Sequence, residues 1–136
     1  MRIKYLTVAF IVFLIGVVIV ANLGWGPIVF QFLAYIPGGD KTGHFVLMGL
    51  LSLFVNLSMR AKRVTVAGLS LLQGSLIVAL IVTAEEFSQL LLKHRGFSLI
   101  DLSCDYLGII AFGVLADHWV RARQAKQTAS LQKRET

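Results

Sequence analysis

Charge is what this sequence has least of. Only 15% of its 136 residues are Asp, Glu, Lys or Arg, while 57% are hydrophobic; soluble domains carry about 25% charged residues and about 45–50% apolar ones. The shortage is concentrated. No charged residue lies between Lys4 and Asp40, and none between Arg63 and Glu85. A water-soluble fold has no means of hiding such stretches without a far larger partner surface. Cys104 is the one cysteine, which excludes an internal disulfide and any CxxC metal site. Acidic residues number 7 against 13 basic ones. No serine–histidine or phosphate-loop signature is present, and no internal repeat or low-complexity region.

What remains is long apolar runs. About 20 apolar residues in a helix cross a bilayer core of about 30 Å. The pattern predicts an all-α membrane protein, a single transmembrane domain over 1–120, built as a four-transmembrane-helix bundle. Its spans fall at about 5–22, 40–59, 64–84 and 101–120. A cleaved signal peptide is the rival reading of the first run, which is long for one and lacks an A-x-A site. Between spans one and two, residues 23–39 are apolar but hold Gly24, Gly26, Pro27, Pro37, Gly38 and Gly39. Such a cluster interrupts helices and predicts a short interfacial or re-entrant segment, with a helix over 28–35. Asp40 is a candidate N-cap for span two. Residues 121–136 form a basic, polar cytoplasmic tail, expected to be solvated and mobile.

Basic residues of short loops stay on the cytoplasmic side. Four spans place the amino terminus, the 60–63 loop and the tail together. That side holds Arg2, Lys4, Arg60, Lys62, Arg63, Arg121, Arg123, Lys126, Lys133 and Arg134; the other holds Lys41, Lys93 and Arg95. Both termini are therefore expected in the cytoplasm, with the chain multi-pass in the plasma or inner membrane of a bacterium. The same confinement accounts for the formal charge of +6 with the lipid bilayer as partner and no nucleic acid. The acidic residues split the other way. Asp40, Glu85, Glu86, Asp101 and Asp105 all fall near the outer ends of spans, where His44 and Arg95 also lie.

Residues three or four apart share a helix face. Asp40 stacks with His44, Glu86 (or Glu85) with Gln89, and Asp101 with Asp105. Gly108 lies on the face of Asp105 and admits a neighbouring backbone. Asp105 sits about 6 Å deeper than Asp101 in a regular helix. A carboxylate there is costly and needs a partner inside the bundle; Arg95, Lys41 and His44 are the candidates. The candidate ligand-binding set is Asp40, Lys41, His44, Glu86, Gln89, Arg95, Asp101 and Asp105. Each has a plainer role to offer: Asp40 as a cap, Lys41 as an interfacial anchor, Glu85 as a solvated helix end. Glu86, Gln89, Arg95 and Asp101 could equally form a network that only locks helix ends. Ser70, Gln73 and Ser75, in mid-span, are read as interhelical hydrogen bonders.

The run Asp40-Lys41-Thr42-Gly43-His44-Phe45 resembles the D-K-x-x-H-F signature of the VanZ-like integral membrane family. Glu86-x-x-Gln89, Arg95 six residues on and Asp101 six further are similar to that family's E-x-x-Q, R and D positions, and Gly108 matches a family glycine. The resemblance spans 40–113. Asp105 stands where the family has asparagine, Met48 where tyrosine is common, and Gly113 one place late. The resemblance implies a cell-envelope role, linked through the family's name to glycopeptide susceptibility, notably to teicoplanin; it supplies no reaction.

Three functions follow as expectations. The first is binding of an amphiphilic, lipid-linked or glycosylated envelope molecule at the outer membrane–water boundary, with Lys41, Arg95 and His44 holding phosphate or carboxylate. The second is an intramembrane hydrolase or transferase on a lipid-linked substrate, with His44, Glu86 and Asp101 as catalytic candidates. The third is a structural scaffold. A proton-linked transporter would need polar groups through mid-span, where only Ser70, Gln73 and Ser75 occur. No cofactor or resident metal is expected; the enzyme reading alone would accommodate a hard cation on Asp40, Glu86, Asp101 and Asp105. The orientation is checked by single-cysteine variants in a Cys104→Ser background. A membrane-impermeant maleimide added to intact cells should label Lys93→Cys and leave Lys62→Cys unlabelled; the reverse pattern overturns it.

Overall fold

The fold is that of a computed structural model describing residues 2–31, 35–36, 38–91 and 97–135. The element order is α1 (Arg2–Asn22), α2 (Gly26–Val29), α3 (Gly39–Ser58), β1 (Arg63–Val66), β2 (Leu69–Leu72), α4 (Gln73–Ser88) continued by a 3-10 turn (Gln89–Leu91), and α5 (Leu99–Glu135). Among the described residues, three helical stretches are long and apolar enough to cross a membrane: Arg2–Asn22, Gln73–Leu91 and Leu99–Lys133. α3 is not one of them, and it carries Asp40, Lys41, His44 and Asn56. α1 is apolar on every face and buries only Thr7 and Leu14. A helix hydrophobic all round belongs in a lipid or protein interior.

The first, second and fourth runs are helices near the expected positions; the third differs. Residues 63–72 pair as an antiparallel hairpin, Arg63 opposite Leu72 and Val66 opposite Leu69. Val64, Thr65 and Val66 are β-branched and favour strand. Ala67 and Gly68 both take positive φ, 49° and 81°, the requirement of a two-residue type I′ turn. α3 ends just before it in a Schellman motif. The Ala61 amide donates to Asn56 O at 2.7 Å and the Arg60 amide to Leu57 O at 3.2 Å, with Arg60 left-handed at φ 56°. Helix therefore resumes only at Gln73, ten residues into the apolar run that the sequence reads as one span. Hydropathy cannot see this, because the hairpin is as apolar as the helix after it.

Two smaller expectations also change. α2 stops at Val29 instead of filling 28–35, of which 32–34 lie outside the described residues. Gly38, left-handed at φ 62°, is the N-cap of α3, so Asp40 sits in the first turn and caps nothing through its side chain. There its carboxylate still complements the helix dipole. The basic segment from Arg121 is helical as far as Glu135, because α5 continues into it without a break. The 37 residues of α5 extend about 55 Å at 1.5 Å each, well beyond the roughly 30 Å of a hydrocarbon core.

α3 and α5 form the most extensive helix pair. They touch backbone to backbone, because a Cβ on Gly108 would collide with the Phe45 carbonyl and crowd the Gly49 amide. Leu51, Val78, Val82, Leu102 and Ile109 make the core, with Leu14 reaching it from α1. A buried polar knot ties α3, α4 and α5 nearby. Asn56 Nδ2 donates to Ser52 O at 2.9 Å and Ser75 Oγ at 2.8 Å, and Ser52 Oγ donates to Ile109 O at 2.9 Å. Thr7 Oγ1 lies 2.7 Å from Ser58 Oγ, and Arg63 lies 3.5 Å from Asp117. The start of α1, the end of α3 and the middle of α5 thus share the basic end of the bundle. Replacing Gly108 by Leu should lower stability by about 1–3 kcal/mol through overpacking. Gly16, which has nothing within 4 Å of an added Cβ, should accept Leu without loss. Thermal unfolding of the two variants in the same detergent tests this.

Candidate functional site

The opposite end of the bundle gathers the polar residues. The first turns of α3 carry Asp40, Lys41 and His44; the end of α4 and its 3-10 turn carry Glu86 and Gln89; the first turns of α5 carry Asp101 and Asp105. Seven of the eight candidates therefore meet at one place. Arg95 lies outside the described residues.

Asp105 is fully buried, 1% exposed. Of the three partners weighed for it, His44 takes the role: Nδ1 lies 3.0 Å from Asp105 Oδ1. The contact exists because Gly108, one turn further along α5, lets the two helices close at Phe45, the residue after His44. An ionised carboxylate accepts, so Nδ1 carries the hydrogen; in the neutral imidazole Nε2 then keeps its lone pair, and in the charged form it donates as well. Lys41 extends to Asp101, with Nζ 3.7 Å from Oδ1, beyond hydrogen-bond range; its side chain is half exposed. Asp101 Oδ1 is itself buried and has no hydrogen-bond partner among the described residues. One ligand atom each from Asp40, His44 and Asp101 falls within 4.8 Å of the others.

Glu86 is also 1% exposed, and its role is defined by α5. Ser98 is the residue before that helix, and its Oγ accepts the Asp101 amide at 3.2 Å. In a capping box the side chain three residues into the helix would return to the cap amide. Here Glu86 Oε1 takes that amide instead, at 2.7 Å. The bond fastens α5 to α4 and leaves the Asp101 carboxylate to face Lys41, Asp40 and His44. Gln89, 2% exposed, donates to Glu85 Oε2 at 2.9 Å. Of the two spacings available, the structure uses Glu85–Gln89, and Glu85 is half-buried instead of a solvated helix end. Phe87 and Phe97 stack at 5.2 Å beside these groups.

Beside the polar cluster opens a groove of about 900 Å³ between α1, α3 and α4. Val18, Leu47, Leu51, Ile77 and Ile81 are among its apolar lining; Asp40, His44, Glu85 and Asp105 lie at its polar end. That size is at the upper end of small-molecule sites, about 300–1,000 Å³. The cluster and the apolar groove are continuous.

The sequence left three parts of this arrangement unnoticed. Ser98 was visible as Ser-x-x-Asp at capping spacing. Asn56 was visible four residues after Ser52. The bond between Thr83 and the Tyr106 hydroxyl, 2.6 Å across α4 and α5, carried no local signal. Conversely, Ser70 sits exposed in β2 and bonds weakly to Arg63, so it is no mid-span hydrogen bonder. Compared with protein-family models, with curated proteins and with solved structures, the chain finds no match.

Glu86→Ala should leave the half-buried Ser98 amide without its acceptor, at a cost of up to about 1–3 kcal/mol. Glu86→Gln keeps an acceptor oxygen and should retain most of the stability. Unfolding midpoints, with amide hydrogen exchange at Ser98, check the pair; equal loss in both variants would overturn the capping role.

Proposed function

We propose that this chain is a multi-pass membrane protein of the bacterial cell envelope that binds an amphiphilic envelope molecule at the outer membrane–water boundary. The polar cluster faces outward in this reading and both termini lie in the cytoplasm. All four long helices cross the membrane, α3 with its polar flank turned inward against α5. The observation that carries the reading is the continuity between the roughly 900 Å³ apolar groove and the ionisable groups at its end. An acyl or polyprenyl chain suits the first and a hydrated head group the second. The wide apolar exposure of α1, Tyr5, Val12, Ile15 and Ile19 among it, suits a surface facing lipid. The resemblance of 40–113 to the VanZ-like family points the same way, towards the envelope and towards glycopeptide susceptibility, teicoplanin being itself lipid-bearing.

The polar end is richer in acceptors than in cations. Lys41 is drawn to Asp101 and His44 to Asp105, so a head group that donates hydrogen bonds, such as a sugar, fits better than a bare anion. A second reading, a scaffold whose polar groups only lock helices, is favoured by one observation, the Glu86–Ser98 bond. The hydrolase or transferase reading would use His44 Nε2 as base.

The groove is tested by filling it. Ile77→Trp and Ile81→Trp change exposed lining residues and should leave folding intact. Both should lose binding of a fluorescent lipid-linked saccharide at least about tenfold, a change of about 1.4 kcal/mol. Full binding in both variants would eliminate the groove and leave the scaffold. Product release from the same probe would replace binding by catalysis.

A further inference from the structure

We propose that Asp40, His44 and Asp101 form a site for a divalent transition-metal cation, with Asp105 as the positioning residue behind the histidine. Three observations bear on it independently. Ligand atoms from the three side chains already lie within 4.8 Å of one another. Tetrahedral coordination at bond lengths near 2.0–2.1 Å needs separations of about 3.3 Å, so the side chains need draw in by at most about 1.5 Å. Asp40 is exposed and in a first turn, where such a movement meets little resistance.

The second observation is the orientation of His44. Metal-binding histidines usually donate their other ring nitrogen to a carboxylate, which sets the tautomer and the ring plane. Asp105 does this to His44 through Nδ1 at 3.0 Å from a 1% exposed position. In the neutral imidazole, the form that binds a metal, the free nitrogen is then Nε2. A histidine serving only to neutralise Asp105 would need no further ligands gathered about it.

The third is the Asp101 carboxylate. Asp101 Oδ1 is shielded from solvent yet has no hydrogen bond among the described residues. A shielded carboxylate oxygen without a hydrogen bond is costly. The nearest cation, Lys41 Nζ, stops 3.7 Å away, so a tighter positive charge has room to replace it. The Lys41 side chain is 48% exposed and can withdraw to water as the ion enters.

The donor set selects the class. Two carboxylates and one imidazole suit Zn²⁺, Mn²⁺ or Fe²⁺; Mg²⁺ and Ca²⁺ prefer oxygen alone. This differs from the all-oxygen set visible in the sequence, because Glu86 is engaged at Ser98 and His44 takes its place. Three protein ligands leave a fourth position open, as in sites that bind an exchangeable group. Asp40 and His44 also line the polar end of the groove. The ion needs no amphiphile, however, and its binding is measured without one.

The test uses the full chain in detergent, stripped with a chelator, and metal salts as the only probes. Calorimetry should show one Zn²⁺ per chain, and Co²⁺ should give visible absorption of a low-coordinate nitrogen–oxygen site. Asp40→Asn, at an exposed position and with folding checked by circular dichroism, should weaken Zn²⁺ at least about tenfold. Asp105→Asn should weaken it by about 10–100-fold, the range for lost outer-shell partners. Lys41→Met, which removes the competing cation, should tighten it. Absence of binding above buffer, Zn²⁺ affinity untouched in Asp40→Asn, or Mg²⁺ binding as tightly as Zn²⁺ would each overturn the proposal. None of these outcomes affects the groove, whose test reads lipid binding in chains altered at Ile77 and Ile81.

Discussion

The structure depends on how closely α3 and α5 approach at Gly108. With no Cβ there, the two backbones meet at Phe45 and Gly49. That distance brings His44 to Asp105, 61 residues away in sequence. A carboxylate in an apolar bundle must be paired or hydrogen-bonded, since an isolated buried charge costs far more than a small protein can spare. The helix contact therefore does two things at once. It buries Asp105, and it delivers the group that makes this burial tolerable. Separate the helices by the width of a side chain, and the pair opens into apolar surroundings.

A second consequence runs through α4. Glu86 satisfies the cap amide of α5 from outside that helix, so the chain uses a tertiary contact where a capping box would use a local one. Asp101 is thereby spared the cap and turned towards Lys41, Asp40 and His44. The site is assembled from three helix ends, and the bond that positions its third side also joins the helices carrying it. Stability and site geometry are for this reason not separable at Glu86, whereas they are at Asp40, which caps nothing and remains exposed.

The proposed function grows from the adjacency of two unlike surfaces. The groove between α1, α3 and α4 is apolar along most of its length and polar at one end. An amphiphile has the same asymmetry, and at a membrane surface it is also abundant. Asp40 and His44 lie at that same end, with Asp101 clustered against them, so an ion bound there would convert an acceptor-rich lip into one able to hold an oxygen anion. The two proposals thus share residues, while each stands on its own observation.

Much of this was legible from charge and hydropathy. The uncharged runs predicted apolar helices, and three are long enough to cross a membrane; helical spacing named Asp40 with His44 and Asp101 with Asp105 as neighbours. The sequence was silent where the physical signal was local geometry within an apolar run. Val64-Thr65-Val66 and Ala67-Gly68 made a hairpin out of residues whose hydropathy matches a span, and Gly38 took the cap assigned to Asp40. By itself the sequence determined which segments avoid water and which helix faces carry ionisable groups, because both follow from composition and a period of 3.6 residues. Only the tertiary structure decided that His44 answers Asp105, that Glu86 answers Ser98 and that Glu85 answers Gln89. Those choices rest on backbone approach and side-chain reach between helices, which no one-dimensional spacing contains.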